Sequence, residues 1–319
     1  LREDFEKILM EFRNQGVQDI FFGEGEDIYI RHLGDIKNSG VMTDRSLMDY
    51  LGYSCCGTGT VSEDSAPFDR DMSYTDSSGG RYRLNLFSSS TGRRAVVRII
   101  GKDIPSMEEI GVDRRLYRNI TEKKGLSLIA GKTCSGKSTT VASIVKEILK
   151  NNPWHVITLE DPVEYCFSGG CGMVTQRELG RDFRSFGEGV ISAMRQSPDL
   201  IVIGEIRKKE TLLSAVTAAE TGTAVISTLH SRGARMTLLR MVSMFSSSER
   251  ELLLFQLSGH LNFIQSQVLL KKEGGMSMDY ELLLNTGAVG NTIREGNFSQ
   301  LENLILLGQS QGMKKFDGE

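Results

Sequence analysis

The stretch "LIAGKTCSGKSTTVASIV" at residues 129–146 constrains this chain more than any other. Gly131, Gly136, Lys137 and Ser138 complete the pattern G-x-x-x-x-G-K-[ST], in which successive backbone N–H groups close around phosphate oxygens. Such a loop works between a buried strand and a helix whose N-terminus adds positive potential. Both are present. "LSLIA" leads in, and "KSTTVASIVKEILK" leads out with Val141, Ile144, Val145 and Ile148 on one helical face. Gly131, Lys132, Thr133, Cys134, Ser135, Gly136, Lys137, Ser138 and Thr139 are therefore the expected nucleotide-binding segment. Lys137 supplies a point charge, and the Ser138 hydroxyl can ligate Mg²⁺. As an exposed loop residue, Lys137 is expected to contribute little to the core. Lys132 and Cys134 hold variable positions, where the backbone does the binding. A Cβ there is costly only if the loop needs φ > 0.

A phosphate loop needs a sheet behind it. "HVITLE" (155–160), "LIVIG" (200–204) and "TAVISTLH" (223–230) are β-branched runs separated by helical stretches. That alternation implies a parallel sheet covered by helices, an α/β architecture. The tail from about residue 245 reads as mostly helical, with no further parallel strand. Upstream, Phe5, Ile8, Leu9 and Phe12 have helical spacing. "DIFF" and "DIYIRHLG" read as short strands, 44–53 as a second helix, and 81–100 as a hairpin. The expected organisation is a small α+β domain over 1–100, a linker and hinge over 101–118, and an α/β domain with a helical C-terminal region over 119–319.

Several strands end in residues that can do chemistry. "TLEDPVEY" (158–165) ends in Glu160, Asp161 and Glu164. In an α/β sheet the strand C-termini line the ligand crevice, and carboxylates there orient a water or hold Mg²⁺ through its waters. "DLIVIGEIR" (199–207) is a buried strand running into Glu205, with Arg207 two residues on. His230 follows a third strand and is a candidate γ-phosphate sensor.

The remaining composition narrows the classes. A length of 319 residues suits two domains. A net charge of -3 without a basic stripe argues against a nucleic-acid binder, so a DNA-binding RecA-like motor is the weaker reading. No apolar run approaches the ~20 residues of a membrane span. The acidic N-terminal "LREDFEKILMEF" is unlike a signal or transit peptide. Cys55, Cys56, Cys134, Cys166 and Cys171 include no C-x-x-C pair and are expected as free thiols.

In order and spacing, the four elements resemble the Walker A, Asp box, Walker B and His box of the secretion ATPase superfamily of type II secretion and type IV pili. They lie at 131–138, 158–165, 200–205 and 228–230. "GRYRLNLF" (80–87), "VVRII" (96–100), "TAAETG" (217–222) and "QVLLKK" (267–272) extend the likeness over essentially the whole chain, which is most similar to PilT-like retraction ATPases. The resemblance implies a RecA-like P-loop ATPase domain behind a smaller N-terminal PAS-like domain, assembled as a homohexamer. ATP with Mg²⁺ would bind between the two domains. The protein would be cytoplasmic, at the inner face of the membrane, and associate with it only through an inner-membrane pilus platform protein; no nucleic acid is implied. Glu164 or Glu160 would polarise the attacking water, Glu205 would position Mg²⁺ together with Ser138, and Arg83 and Arg98 would reach the γ-phosphate.

Two departures stand out. The family loop GPTGSGKS has Pro and Gly where this chain has Lys132 and Cys134. The retraction-associated AIRNLIRE segment reads "AVGNTIRE" (288–295), with Gly290 for Arg and Thr292 for Leu. The chain carries no four-cysteine zinc module of the assembly type, which favours retraction. Assembly, conjugation and effector secretion are the alternatives within the superfamily, and the divergence points to a type IVb or plasmid-encoded pilus system.

Overall fold

The apolar spacing at the N-terminus forms the helix it predicts. α1 (Arg2–Asn14) buries Phe5, Leu9 and Phe12 on one side. The structure, a computed structural model, describes residues 1–32, 34–56, 69–101, 103–272 and 275–317. The chain divides into two units, Leu1–Asp103 with Asp161–Cys166, and Ile104–Glu160 with Phe167–Glu319.

In the first unit, α1 and α2 (Arg45–Cys56) pack on a six-stranded sheet. Its strands are β1 (Asp19–Gly23), β2 (Asp27–His32), β3 (Asp35–Met42), β4 (Asp69–Thr75), β5 (Arg81–Ser89) and β6 (Gly92–Ile100). They are ordered β3-β2-β1-β6-β5-β4, and every pairing is antiparallel. The expected hairpin is β5–β6, in register from Arg81↔Ile100 to Ser89↔Gly92. Alternation places Tyr82, Leu84 and Leu86 in one core with Ala95 and Val97. Glu6, buried on α1, ties that helix to the β4–β5 turn: it accepts hydrogen bonds from Tyr74 Oη at 2.9 Å and Ser77 N at 3.0 Å.

The second unit is an α/β sheet, as the strand–helix alternation requires. Its strands are β7 (Gly125–Ala130), β8 (His155–Glu160), β9 (Met173–Glu178), β10 (Leu200–Ile203), β11 (Ala224–Leu229), β12 (Leu261–Lys272) and β13 (Gly275–Leu284). The helices are α3 (Arg114–Lys123), α4 (Lys137–Asn151), α5 (Phe186–Met194), α6 (Lys209–Glu220), α7 (Ala234–Ser243), α8 (Ser247–His260), α9 (Gly287–Arg294) and α10 (Leu301–Leu307). The order is β13-β12-β7-β11-β10-β8-β9. All strands run parallel except β13, which pairs antiparallel with β12.

Two expectations need correcting. The tail is not merely helical: β12 joins the sheet parallel to β7. Its run "LNFIQSQVLLKK" carries Gln265, Ser266 and Gln267 in mid-strand, which breaks the continuous apolar pattern by which a buried parallel strand is recognised. The stretch read as a linker, from residue 104 on, belongs to the second unit. Met107, Val112 and Leu116 lie in its core, and their spacing across a turn into α3 gave no helical period to detect.

Candidate functional site

β7 ends at Ala130, and residues 131–136 turn the chain into α4. Gly131 has φ 153° and Gly136 φ 82°. A Cβ at Gly131 would come within 2.4 Å of Ser135 Oγ and 2.6 Å of the Gln267 carbonyl oxygen, so only glycine fits. Cys134 sits at φ 61°, in the left-handed region where the family has glycine, and Lys132 is not among the positive-φ residues. Cys134, Thr133 and Lys132 are exposed, so Cys134 meets a backbone penalty and no packing clash.

Lys137 departs from its expected exposure. It is buried, and its Nζ donates to the carbonyls of Gly131 at 2.9 Å and Lys132 at 2.7 Å. The lysine therefore bridges the loop it belongs to, six residues back in sequence. Ser138 is exposed in the first turn of α4, and Thr139 is half-buried beside it.

The ends of the neighbouring strands bring further groups together. Glu205 follows β10 and His230 follows β11, with His230 Nε2 3.4 Å from Glu205 Oε1. Arg207 Nε donates to the other carboxylate oxygen at 2.8 Å. The backbone holds this pair in place: Thr228 Oγ1 donates to the Gly204 carbonyl at 2.6 Å, and Ile206 N to the Thr228 carbonyl at 3.0 Å. Burial pushes the His230 pKa below its ordinary 6.5, and the Lys137 ammonium pushes it further; the Glu205 carboxylate opposes both. Lys137, Glu205 and His230 thus share one electrostatic environment. Glu160, at the end of β8, accepts from Thr158 Oγ1 at 2.6 Å and Gln176 Nε2 at 3.1 Å.

The other expected site residues fall in the first unit, and so does Glu164. Arg83 and Arg98 face each other in the β5–β6 ladder. Arg83 is ion-paired with Asp71 and lies 3.8 Å from Glu164 Oε1. Arg98 Nε donates to Asp19 at 2.8 Å. The Asp box is therefore shared: Glu160 belongs to the second unit, and Asp161 and Glu164 to the first. Cys166 and Cys171 are free thiols, as is Cys134; the side chains of Cys55 and Cys56 lie outside what is described.

Ser138 and Glu205 offer a hydroxyl and a carboxylate, the oxygen donors that suit Mg²⁺. Among the described residues no group of three or more His, Cys, Asp or Glu could hold a metal alone. The donor set fits an ion completed by phosphate oxygens and water.

Sequence reasoning left two side chains out of the site. Gln265 and Gln267 of β12 are buried beside the glycine loop, with Gln267 Nε2 donating to the Ser135 carbonyl at 2.7 Å. Their signal was two amides either side of Ser266 between apolar flanks, the second opening the "QVLLKK" stretch.

Known proteins resemble this chain in sequence and fold. A family model described as type II/IV secretion system protein matches residues 2–281. The type IV pilus retraction ATPase PilT of Pseudomonas aeruginosa is 34% identical over 316 residues, 98% of this chain and 92% of that protein. A twitching motility protein of Neisseria gonorrhoeae is 37% identical over 249 residues, 77% of this chain and 67% of that protein. A crystal structure of the pilus retraction motor PilT with bound ADP superposes with a TM-score of 0.84 at 33% identity, covering 97% of this chain and 94% of that one.

Proposed function

This chain belongs to the type II/IV secretion system protein family, and from that premise we propose that it is an ATPase that powers retraction of a type IV pilus. The observation that carries this reading is the glycine loop bridged by Lys137, whose charge acts on His230 together with that of Glu205, in a chain 34% identical to a pilus retraction ATPase over 98% of its length. The reaction is ATP + water → ADP + phosphate.

The loop N–H groups and the α4 N-terminus bind the phosphates. Lys137 exchanges its two loop carbonyls for phosphate oxygens, so its charge is already in place. His230, held mainly neutral near pH 7 by its lowered pKa, donates or accepts one hydrogen bond at the far end of the phosphate chain. Ser138 and Glu205 would hold Mg²⁺, which neutralises phosphate charge when bound. A carboxylate of the Asp box, Glu160 or Glu164, orients the attacking water. Arg83 and Arg98 serve the γ-phosphate on the strength of the family resemblance.

As partners we propose further copies of the same chain in a hexameric ring and an inner-membrane pilus platform protein. No helix among the described residues is long and apolar enough to cross a membrane, and the proposed location is the cytoplasmic face, reached through the platform. Phosphate release by the purified protein tests the chemistry, with Lys137→Ala as the inactive control. Surface pili counted by electron microscopy test the direction. Cells lacking the protein should carry pili in excess; bald cells would mean an assembly motor, and unchanged pili a different machine.

A further inference from the structure

β12 runs alongside β7 and continues past it, from Ile129↔Gln265 and Ala130↔Ser266 to the level of the glycine loop. There one residue meets the loop at three points. The Gln267 carbonyl oxygen stands where a Cβ on Gly131 would lie 2.6 Å away; Gln267 Nε2 is 3.4 Å from the corresponding position on Gly136; and the same Nε2 donates to the Ser135 carbonyl at 2.7 Å. Gln267 is 1% exposed. An amide that buried is costly unless it is hydrogen-bonded, and an apolar residue would suit the strand better.

Its neighbour explains which way the amide points. Gln265, fully buried, donates from Nε2 to Gln267 Oε1 at 3.1 Å. Gln265 Oε1 has no hydrogen-bond partner among the described residues, so donation by Nε2 sets its orientation. With Gln267 Oε1 engaged as acceptor, the Gln267 amino group is turned onto Ser135.

We propose that Gln265 and Gln267 form an amide relay that holds the glycine loop open for nucleotide, with Gln267 as a positioning residue for the phosphate-binding backbone and Gln265 acting only through it. The "QVLLKK" stretch thereby has a role at the site. Releasing the Ser135 carbonyl frees the loop, and part of the nucleotide's binding free energy then goes into ordering it. The loss appears in affinity and not in the chemical step.

The inference rests on the ATPase reading, and the test separates the two. The full chain and its Gln267→Met, Gln265→Met and doubly substituted variants are compared for ADP affinity, KM and kcat with ATP, and Tm. Methionine keeps the length and removes the donor. Gln267→Met should raise the ADP Kd and the ATP KM roughly fivefold to tenfold, the scale of one lost hydrogen bond, with kcat at saturating ATP within about twofold. Gln265→Met should raise both roughly threefold, and the double variant should bind no worse than Gln267→Met, because Gln265 acts through Gln267. A fall in Tm with unchanged Kd and KM overturns the relay and leaves a packing role. Additive losses in the double variant also overturn it. If Gln267→Met does not fold, Gln265→Met alone decides, since unchanged affinity there removes the orienting step. Failure of the unsubstituted chain to bind ADP overturns the ATPase reading itself.

Discussion

His230 Nε2 and Glu205 Oε1 lie 3.4 Å apart across the C-terminal ends of two adjacent parallel strands. The carboxylate favours the imidazolium, and it loses to burial, to Lys137 and to the more weakly acting Arg207 and Arg240.

Glu205→Gln removes that opposition, so the His230 midpoint, already below 6.5, should fall further. NMR titration of His230 reads it directly; a midpoint above 6.5 in the unsubstituted protein contradicts the site as described. The linkage follows. The unfolded histidine binds its proton at higher pH than the folded one, so stability is full above about 6.5 and declines as the pH drops through the lower folded value. Turnover by Glu205→Gln should fall by at least ~10²-fold with ATP binding retained.

Lys137→Ala should abolish hydrolysis and should also cost stability, because the ammonium bridges two carbonyls of its own loop. A loss of about 1–2 kcal/mol is expected, a Tm drop of roughly 2–6 °C. Thermal melts and phosphate release on the same preparation check both parts. Near-normal hydrolysis would place the active site elsewhere.

Cys134 holds a left-handed backbone that glycine adopts freely. Cys134→Gly should be neutral or stabilising by up to about 1 kcal/mol, and Cys134→Val should destabilise by about as much or more. ATP should shield the exposed thiol from alkylation while Cys166 and Cys171 react as before. Equal labelling of Cys134 with and without ATP, measured by mass spectrometry, would remove it from the phosphate site.

Glu6 has its pKa drawn down to about 2, first by hydrogen bonds from Ser77 and then by Arg2 and Tyr74. Its contribution to the first unit is complete above the ordinary 4.5 and is lost as the pH falls from there towards 2. Glu6→Gln should flatten the acid limb of the unfolding curve. An unchanged acid limb would mean that α1 and the β4–β5 turn are held otherwise.

The sequence made the glycine loop, Glu205, His230 and the β7, β8, β10 and β11 strands legible because each is local: a spacing, or a run of β-branched residues closed by a polar one. It did not disclose the burial of Lys137, which depends on a loop folding back on its own side chain. Nor did it disclose Gln267. Gln267, which bonds the loop, and Gln265 beside it interrupt the apolar pattern by which their strand would be found, and so they concealed β12. Arg83 and Arg98 were legible as a pair on one hairpin, yet their partners Asp71 and Asp19 come from other strands, and no spacing in the chain announces that.

Ser135 and the glutamine that fixes its carbonyl are separated by 132 residues of chain. During synthesis the first five parallel strands of the second unit and the whole glycine loop leave the ribosome before β12 does. At about 5–20 residues per second, the loop spends some 7–26 s without its brace. With the proposed relay, full nucleotide affinity comes late, once translation has passed the middle of β12. A nascent chain stopped short of that point carries every residue of the phosphate-binding pattern and still lacks the strand that shapes it.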